Sequence, residues 1–408
     1  MSVEQLENLI IGGGQAGIAM SAQLSKRGRP HLVLERHRIA ERWRSERWDG
    51  LRLQSPNSEV HFSDYPFPYT DPSAFASAGD IANFITAFAD TVAAPVRSGV
   101  AATTMRRRDN GAGFRIETSQ GPIEAANVVV ATGPFQRPII PALLPKDADI
   151  FQVHAVAYRN PDQLPDGAVL VVGCGASGSQ IADELMRAGR RVYLSISRHR
   201  RLPRRYRGHT YRWWWEMMGT LETPVEKRPP DRSPYVVTGA YGGYTIDFRR
   251  FAARGLILLG RAEGVSDGVM SFAPDLATNL ARGDTAYTAF LDAADAYANS
   301  AGLNLPEEPG ARVAEPDPPC VIEPIRYLNL RDAGVATVIW ATGYALDFGW
   351  VDIPVFDESG TLIHRRGVTN APGLYFLGLQ WLSRMESALI NGVGYDAAYL
   401  ADHIAAIG

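Results

Sequence analysis

The stretch VLVVGCGASG, residues 169–178, sets an apolar run directly before three closely spaced glycines. A similar stretch, LIIGGGQAG, fills residues 9–17 near the other end of the chain. Glycines spaced G-x-G-x-x-G between a strand and a helix are typical of a dinucleotide-binding loop, because they permit a tight turn, a close pyrophosphate and close helix packing. The predicted loop glycines are Gly12, Gly14 and Gly17 in the first copy and Gly173, Gly175 and Gly178 in the second. The sequence therefore predicts an α/β fold with two dinucleotide sites.

The first loop has the flanking pattern that an FAD site requires. Residues 7–11 read as a strand, the following helix ends at Gly28, and HLVLE at 31–35 reads as a second strand ending in an acid. A carboxylate about 20 residues after such a loop can accept hydrogen bonds from both ribose hydroxyls. A tight turn without a ligand is the alternative. Besides the glycines, we assign to this FAD site Gln15, Ala16, Glu35 and Arg36.

The second loop has the same frame but a different residue at the end of its second strand. RVYLSIS at 191–197 carries no terminal acid, and the basic run RHRR follows it. An acid there would repel the 2′-phosphate of NADPH, whereas serine and arginine would bind it. A solvated basic loop is the alternative. Besides the glycines, we assign to an NADPH site Ala176, Ser177, Ser197 and, as the best single candidate for the 2′-phosphate, Arg198.

Composition limits the class of protein. The 408 residues have a net charge of −3, so charge gives no reason to expect nucleic acid or an anionic membrane as a partner. No apolar run approaches the ~18 residues of a membrane span. The first residues, MSVEQLENLII, resemble no targeting peptide, so we expect a cytoplasmic protein. Two cysteines are too few for a disulfide framework or a cysteine zinc site, and no metal site is expected.

Two further glycine turns connect the loops to a known family. NVVVATGPF lies at 127–135 and TVIWATGYALDF at 337–348, each a buried strand leading into a turn. Together with the two loops, these turns resemble the flavin-containing monooxygenases, class B-like, and especially short bacterial flavoproteins similar to the plant auxin-forming monooxygenases. Residues 41–57, 62–68, 373–382 and 387–404 carry the resemblance on toward both chain ends. The turn residues assigned to cofactor binding are Gly133, Thr342 and Gly343.

The resemblance implies two Rossmann-like dinucleotide-binding domains, with the NADP domain inserted in the FAD domain. The implied bounds are 1–158 and 346–408 for the FAD domain and 159–345 for the NADP domain. The implied activity is that of an NADPH-using, FAD-dependent monooxygenase, which forms a C4a-peroxyflavin and oxygenates a nitrogen or sulfur nucleophile or a carbonyl. The cofactor performs this chemistry, so few protein acids or bases are required.

The resemblance also assigns residues around the flavin. The segment at 41–57 would lie along the flavin, and Trp43 in it is assigned to cofactor binding. An amide over the flavin would come from Gln54 or Asn57, although either amide could instead satisfy a turn around Pro56. A helix starting near 391–394 would point its positive end at the flavin pyrimidine. Gln380, Arg384 and Ser387 precede this helix. Gln380 is assigned to cofactor binding, and Arg384 is assigned as a catalytic residue.

The linker and the loop cysteine have structural interpretations. The family linker F-x-G-x-x-x-H-x-x-x-Y/F is met by His154 and Tyr158, while Ala148 and Ile150 occupy its first two positions. We interpret His154 as a hydrogen-bonded linker residue rather than a catalytic one. Cys174 has no partner in a CxxC or CxxxxC pair, so we predict a buried packing thiol instead of a redox thiol.

Residues 206–325 depart from a plain nucleotide fold. This segment, here called the insert, contains RWWW at 212–215 and an amphipathic helical pattern at 278–302. Three consecutive tryptophans cannot share one helix face, so at least one is expected at an interface or over a pocket. Ordinary packing is the alternative. We interpret the insert as a substrate-facing cover or a partner surface.

Two other functions fit the same glycine loops. The first is an NAD(P)H oxidase or another flavin dehydrogenase without oxygen transfer, and the second is a redox-sensing flavoprotein. In the leading interpretation the partners are a small-molecule substrate and dioxygen, with no nucleic acid and no membrane. A homodimer is compatible with the sequence.

Overall fold

Two sheets, each with parallel strands around the strand before one glycine loop, organise the chain. The computed structural model describes residues 3–109 and 111–407. The first sheet has the order His364–Arg365, Val368–Thr369, Leu374–Phe376, Ile123–Val130, Glu4–Ile11, His31–Glu35 and Val96–Ser98, with Ala102–Arg107 and Phe114–Thr118 added as antiparallel strands. The second sheet has the order Phe151–His154, Val335–Trp340, Ala168–Val172, Val192–Ser195 and Ile257–Leu259, and all of its pairs are parallel.

The order of the strands along the chain confirms the predicted fold class. Strands of the first sheet come from both ends of the chain, and strands of the second come from between them. The nucleotide domain of the second loop is therefore inserted into that of the first. Strand Phe151–His154 precedes the predicted boundary at 158, yet it pairs with Val335–Trp340 of the second sheet. The exact domain bounds stay a proposal.

Helices cover the sheets and build the insert. The α-helices are Gln15–Lys26, Glu41–Ser45, Ala78–Thr91, Ala176–Arg187, Tyr211–Met217, Phe248–Ala253, Leu276–Ser300, Pro319–Ile322 and Val393–Ile407. Short 3-10 turns occur at Asn57–Glu59, Pro161–Gln163, Val225–Lys227, Ala240–Gly242 and Pro309–Arg312. Within the described ranges no helix is long and apolar enough to cross a membrane.

Small sheets complete the architecture. A three-stranded antiparallel sheet joins Ala262–Ser266, Val269–Phe272 and Tyr327–Asn329. Two-stranded pairs join His61–Phe62 with Tyr65–Pro66, Arg137–Pro138 with Tyr344–Ala345, Arg200–Arg201 with Tyr235–Val236, and Arg205–Tyr206 with His209–Thr210. The pair of Arg137–Pro138 and Tyr344–Ala345 lies directly after the two ATG turns, so it connects the two domains.

Separate apolar cores stabilise the sheets and the insert. The strands around both loops bury their apolar side chains completely, as Leu9, Ile10, Val169 and Val171 illustrate. The insert has its own cluster, in which Trp214 is fully buried against Tyr206 and Leu291. The predicted helix at 278–302 is confirmed as Leu276–Ser300, which contributes Leu291 to this cluster.

The insert is attached by backbone hydrogen bonds to the closing segment of the first domain. The Val225 amide donates to the Ser383 carbonyl at 2.8 Å, and the Met385 amide donates to the Thr223 carbonyl at 3.0 Å. The Glu386 amide donates to the Leu221 carbonyl at 3.2 Å. Because backbone pairing fixes register, these bonds hold the insert directly beside the segment that precedes helix Val393–Ile407.

Candidate active site

A cavity of about 1610 Å³ lies between the two sheets and under the insert. It brings together most of the residues predicted from the sequence. The predicted residues that line it are Gly12, Gly14, Gln15, Ala16, Glu35, Arg36, Trp43, Gln54, Gly133, Gly173, Gly175, Ala176, Ser177, Ser197, Thr342, Gly343 and Gln380. The predicted residues Gly17, Asn57, Gly178, Arg198 and Arg384 are not among the lining residues.

The glycines of the first loop have separate physical roles. Gly12 has a φ of +117°, and an added Cβ would lie 2.6 Å from the Ala131 carbonyl oxygen. An added Cβ at Gly17 would lie 1.8 Å from the Gly12 carbonyl oxygen, so only glycine permits this helix packing. Gly14 has open space around its Cβ position and precedes helix Gln15–Lys26. That free space at a helix N-terminus fits a pyrophosphate.

Glu35 is held in place by the loop itself. Its Oε2 accepts a hydrogen bond from the Gly13 amide at 2.7 Å, and its Oε1 accepts one from the His37 amide at 2.8 Å. Each carboxylate oxygen retains a further lone pair, since an ionised carboxylate offers about four acceptor positions. The oriented carboxylate lines the cavity and fits the two hydroxyls of a ribose.

The second loop repeats this geometry. Gly173 has a φ of +104°, and a Cβ at Gly178 would lie 1.9 Å from the Gly173 carbonyl oxygen. A Cβ at Gly175 would meet nothing closer than Pro234, at 3.6 Å. Gly175 precedes helix Ala176–Arg187 and lines the cavity, so this loop also fits a pyrophosphate.

The arginines that line the cavity near the second loop do not include Arg198, the best candidate from the sequence for binding the 2′-phosphate. Arg198 is exposed and does not line the cavity, whereas Arg200, Arg228 and Arg232 do. Arg200 stacks over the Tyr235 ring at 3.8 Å and donates from Nη1 to the Tyr235 hydroxyl at 3.0 Å. Burial lowers the pKa of Arg228, and the charges of Arg232 and Arg200 lower it further. A bound phosphate would relieve this repulsion.

Arg228 and Arg232 were not predicted from the sequence, because they come from the insert and lie about 30 residues after the second strand of the loop unit. The run RPPDR at 228–232 was the available signal, since its two arginines flank prolines in a loop. Arg261 also lines the cavity, where it pairs with Glu263 at 3.0 Å. The insert therefore supplies cations that the two loops alone do not contain.

Cys174 is a packing residue in the second loop. Its side chain is 1% exposed, and its thiol donates to the Ser197 carbonyl with a sulfur–oxygen distance of 3.4 Å. Burial raises the pKa of the thiol to about 11. Cys174 and Cys320 are both free, which confirms the predicted buried thiol without a disulfide partner.

The linker residues are hydrogen-bonded as predicted. His154 donates from Nε2 to the Gly343 carbonyl at 3.1 Å, and its Nδ1 accepts from the Val156 amide at 3.1 Å. Burial lowers the pKa of His154, so the ring is held neutral. The Tyr158 hydroxyl donates to Glu184 at 2.8 Å. These contacts fasten the linker to the second ATG turn and to helix Ala176–Arg187.

The two candidate amides have different surroundings. Gln54 lines the cavity, and its backbone carbonyl accepts a hydrogen bond from Arg204 Nη1 at 2.6 Å. Asn57 is buried at the start of a 3-10 turn, where its side chain donates to the Asp71 carbonyl at 3.1 Å. The structure therefore places only the Gln54 amide at the cavity surface.

The closing segment faces the first loop. The Gln15 side chain donates to the Ala388 carbonyl at 2.7 Å, and Asn391 lines the cavity just before helix Val393–Ile407. The helix therefore begins at the cavity wall, and its start at Val393 lies within the range 391–394 that the family resemblance implied. Arg384 points elsewhere: it stacks over the Tyr395 ring at 3.6 Å and lies 3.3 Å from Glu386.

The insert also lines the cavity. Tyr211, Arg212 and Trp215, from one short helix, face it. Trp214 between them is fully buried in the core of the insert. This arrangement confirms the expectation that one of the three consecutive tryptophans lies over a pocket, while another serves ordinary packing. Arg212 was not singled out, because a single arginine in RWWW gives no sequence signal of its own.

Comparison with known proteins now identifies the family. A model of the pyridine nucleotide-disulphide oxidoreductase family matches residues 9–212, a range that includes both glycine loops. The chain is 32% identical over 403 residues to the uncharacterized oxidoreductase CzcO-like of Geobacillus kaustophilus, with 97% of each chain covered. The chain belongs to the pyridine nucleotide-disulphide oxidoreductase family.

Two further likenesses place this oxidoreductase near the flavin monooxygenases. It is 33% identical over 198 residues to the probable indole-3-pyruvate monooxygenase YUCCA1 of Arabidopsis thaliana, with 46% of each chain covered. Its fold matches a flavin-containing monooxygenase from Stenotrophomonas maltophilia with a TM-score of 0.67 and 17% identity, with 99% of each chain covered. The predicted flavin-monooxygenase-like family and the assignment as an oxidoreductase enzyme are confirmed.

The residues of this oxidoreductase fit the two cofactors of the family. The first loop offers free space at Gly14 and an oriented Glu35 carboxylate, as FAD requires. The second loop offers room at Gly175, where a Cβ would meet nothing closer than 3.6 Å, and Arg200, Arg228 and Arg232 line the cavity. The predicted cofactor pair, FAD and NADPH, agrees with the family and the fold.

Proposed function

We propose that this oxidoreductase is an NADPH-dependent monooxygenase that transfers one oxygen atom of dioxygen to a small organic substrate. The observation that carries the proposal is the shared cavity, which is lined by both glycine loops and by the insert. Two dinucleotides bound to loops that open into one space can bring a nicotinamide against a flavin. The insert then covers the region where a substrate would meet the flavin.

The bound cofactors would supply the redox chemistry: hydride from NADPH reduces the flavin, and the reduced flavin activates dioxygen. The substrate class we propose is a nitrogen or sulfur nucleophile or a carbonyl. The chain itself has other tasks. Gly14 and Glu35 hold the FAD, and Gly175 and Arg200 hold the NADPH.

The residues beside the proposed flavin position exclude water and orient groups. Trp43 and Trp215 line the cavity with large apolar surfaces. Gln54 offers an amide at the same wall, and Asn391 stands where helix Val393–Ile407 begins. The positive end of this helix favours negative charge on the flavin pyrimidine. These features support oxygen transfer over the release of hydrogen peroxide, because a dry site protects a reactive oxygen species.

The geometry does not support a dithiol reductase mechanism. Such a mechanism needs a reactive thiolate, whereas Cys174 is buried with its pKa raised to about 11. Cys320 is the only other cysteine, and it is also free. The proposal therefore assigns no redox role to either thiol.

The experiment measures how much NADPH is oxidised and whether the oxygen consumed appears in a product or in hydrogen peroxide. The FAD-loaded enzyme is given NADPH and isotopically labelled dioxygen with a panel of amines, sulfides and ketones. We expect at least one class to accelerate NADPH oxidation and to acquire one labelled oxygen atom per NADPH. Peroxide equal to the NADPH consumed with every class would instead indicate the NAD(P)H oxidase.

Three narrower expectations remain proposals. The sequence favours a cytoplasmic protein, a homodimer is compatible with it, and no nucleic acid or membrane partner is expected from its net charge of −3. Size-exclusion chromatography coupled to light scattering would determine the oligomeric state.

A further inference from the structure

We propose that Arg212 anchors a carboxylate on the substrate. This inference rests on the proposed function, because it names the substrate class of the same site. It adds a binding residue from the insert, and it restricts the substrate to an organic anion with an apolar or aromatic body.

Arg212 is a buried cation that faces the cavity. It lies in the first turn of helix Tyr211–Met217, and the residue is only 6% exposed. Thr210 caps this helix by accepting a hydrogen bond from the Trp213 amide at 3.1 Å, and Trp214 fixes it in the core of the insert. The guanidinium is therefore positioned by a rigid element rather than by a loop.

The charge of Arg212 is poorly compensated within the protein. Among the described residues, its guanidinium makes no hydrogen bond, and its ion-pair partner is Glu386 at 3.8 Å. Arg384 lies nearer to the same carboxylate, at 3.3 Å. The nearby Glu59 carboxylate instead accepts a hydrogen bond from the Thr210 hydroxyl at 2.6 Å. A guanidinium with free donors that faces a cavity can therefore take a carboxylate in the bidentate geometry that arginine favours.

In the wider cluster, three guanidiniums lie near two largely buried carboxylates, while the two other carboxylates that act on it, Glu216 and Glu222, are exposed to solvent. Arg204 is also buried, and its Nη1 donates to a neutral carbonyl, that of Gln54. The guanidiniums of Arg204, Arg212 and Arg384 thus share the carboxylates of Glu59 and Glu386. Burying an unpaired charge is costly, so an anion that enters from the cavity would be stabilised here.

The anchor lies near the start of helix Val393–Ile407, the element that the proposed function places beside the flavin. The Asn391 side chain donates to the Glu59 backbone carbonyl at 2.6 Å, which ties the cluster to the start of helix Val393–Ile407. Asn391 and Arg212 both line the cavity. Tyr211 and Trp215 line it beside the guanidinium and offer apolar surface for the body of a substrate.

The experiment compares two isosteric probes on the FAD-loaded enzyme without NADPH. The probes are 4-(methylthio)benzoate and its neutral amide, and their binding is followed by the change in flavin absorbance and by calorimetry. We expect the wild-type enzyme to bind the acid at least tenfold more tightly than the amide. Arg212→Met should remove this preference, and Arg212→Lys should retain part of it.

The matched control is Arg205→Met, which removes the same charge from an exposed residue that does not line the cavity. This variant should keep the full preference for the acid. The inference is overturned if the wild-type enzyme binds the acid no better than the amide, or if Arg212→Met keeps the preference. Equal losses in both arginine variants would also overturn it, because they would indicate a general effect of charge.

The design separates this inference from the proposed function. Binding is measured without NADPH or turnover, so it reports only on the anchor. An enzyme that prefers the acid but releases all its oxygen as peroxide would retain the anchor and lose the monooxygenase proposal. The wild-type comparison also stands alone if Arg212→Met fails to fold, which its FAD content would reveal.

Discussion

At the scale of single residues, the carboxylate of Glu35 and the guanidinium of Arg200, which both line the cavity, have positions set by their neighbours. Glu35 is oriented by the Gly13 and His37 amides, so its direction follows from the loop that it serves. Arg200 is held by the Tyr235 ring and hydroxyl. Such contacts lower the cost of ordering a side chain when a ligand binds.

Replacing Glu35 should weaken the binding of FAD. Glu35→Ala removes an ionic acceptor for the ribose, and a hydrogen bond to a charged group contributes roughly 1.5–3 kcal/mol, or about tenfold to a hundredfold in affinity. Glu35→Gln keeps one acceptor oxygen and should lose less. Fluorescence titration of the apoprotein with FAD gives both values. Exposed Glu358→Ala is the control, and an unchanged FAD affinity in Glu35→Ala would remove this residue from the site.

Replacing Arg200 should discriminate between the two nicotinamide cofactors. Only NADPH carries the 2′-phosphate, so Arg200→Ala should raise the KM for NADPH about tenfold or more and leave the KM for NADH nearly unchanged. Arg198→Ala tests the residue predicted from the sequence, which is exposed and does not line the cavity. If Arg198→Ala shows the selective loss and Arg200→Ala does not, the sequence-based choice is correct and our assignment of Arg200 is wrong.

At the scale of elements, each glycine loop joins a strand to a helix. The second glycine of each motif is open, because a Cβ there would meet no atom closer than 3.6 Å, whereas the third glycine is crowded. The open glycine lies at the helix N-terminus, where backbone amides face the cavity. The crowded glycine lies one helical turn later, where the helix touches the loop backbone. One part of the loop therefore serves the ligand and the other serves the fold.

A pair of substitutions should separate these two roles. Gly14→Ala meets no atom within 4 Å, so the melting temperature of the apoprotein should stay unchanged while FAD binding weakens. Gly17→Ala places a Cβ 1.8 Å from a carbonyl oxygen, so it should destabilise the apoprotein by about 1–3 kcal/mol or more. Thermal melts with and without FAD measure both effects. Equal melting temperatures for the two apoprotein variants would contradict this division.

The elements around the loops were the most predictable part of the structure. The strand at 31–35 has the predicted bounds, and the apolar run before Gly173 forms the strand Ala168–Val172, because apolar runs ending in glycine or in an acid give a strong local pattern. The proposed 2′-phosphate site was less predictable. Arg228 and Arg232 reach the cavity through the folding of the insert, and no local spacing in the sequence encodes that approach.

At the scale of the whole molecule, the insert and the closing segment determine the shape of the site. Backbone hydrogen bonds between residues 221–225 and 383–386 join them. Arg212 and Trp215 of the insert line the same cavity as Gln54 and Asn391. The sequence of the insert suggested a substrate-facing cover or a partner surface, but the particular side chains at the cavity depend on long-range contacts that a single sequence does not reveal.

The central claim is that one cavity lets the nicotinamide of NADPH pass hydride directly to FAD in the same chain. Anaerobic stopped-flow absorbance, with NADPH deuterated at either face of the nicotinamide C4, tests this claim most directly. We predict that flavin absorbance is lost at a rate independent of enzyme concentration, with a primary isotope effect for one deuterated face. A flavin that stays oxidised would contradict this claim. So would a flavin that is reduced without an isotope effect from either face and at a rate that rises with enzyme concentration.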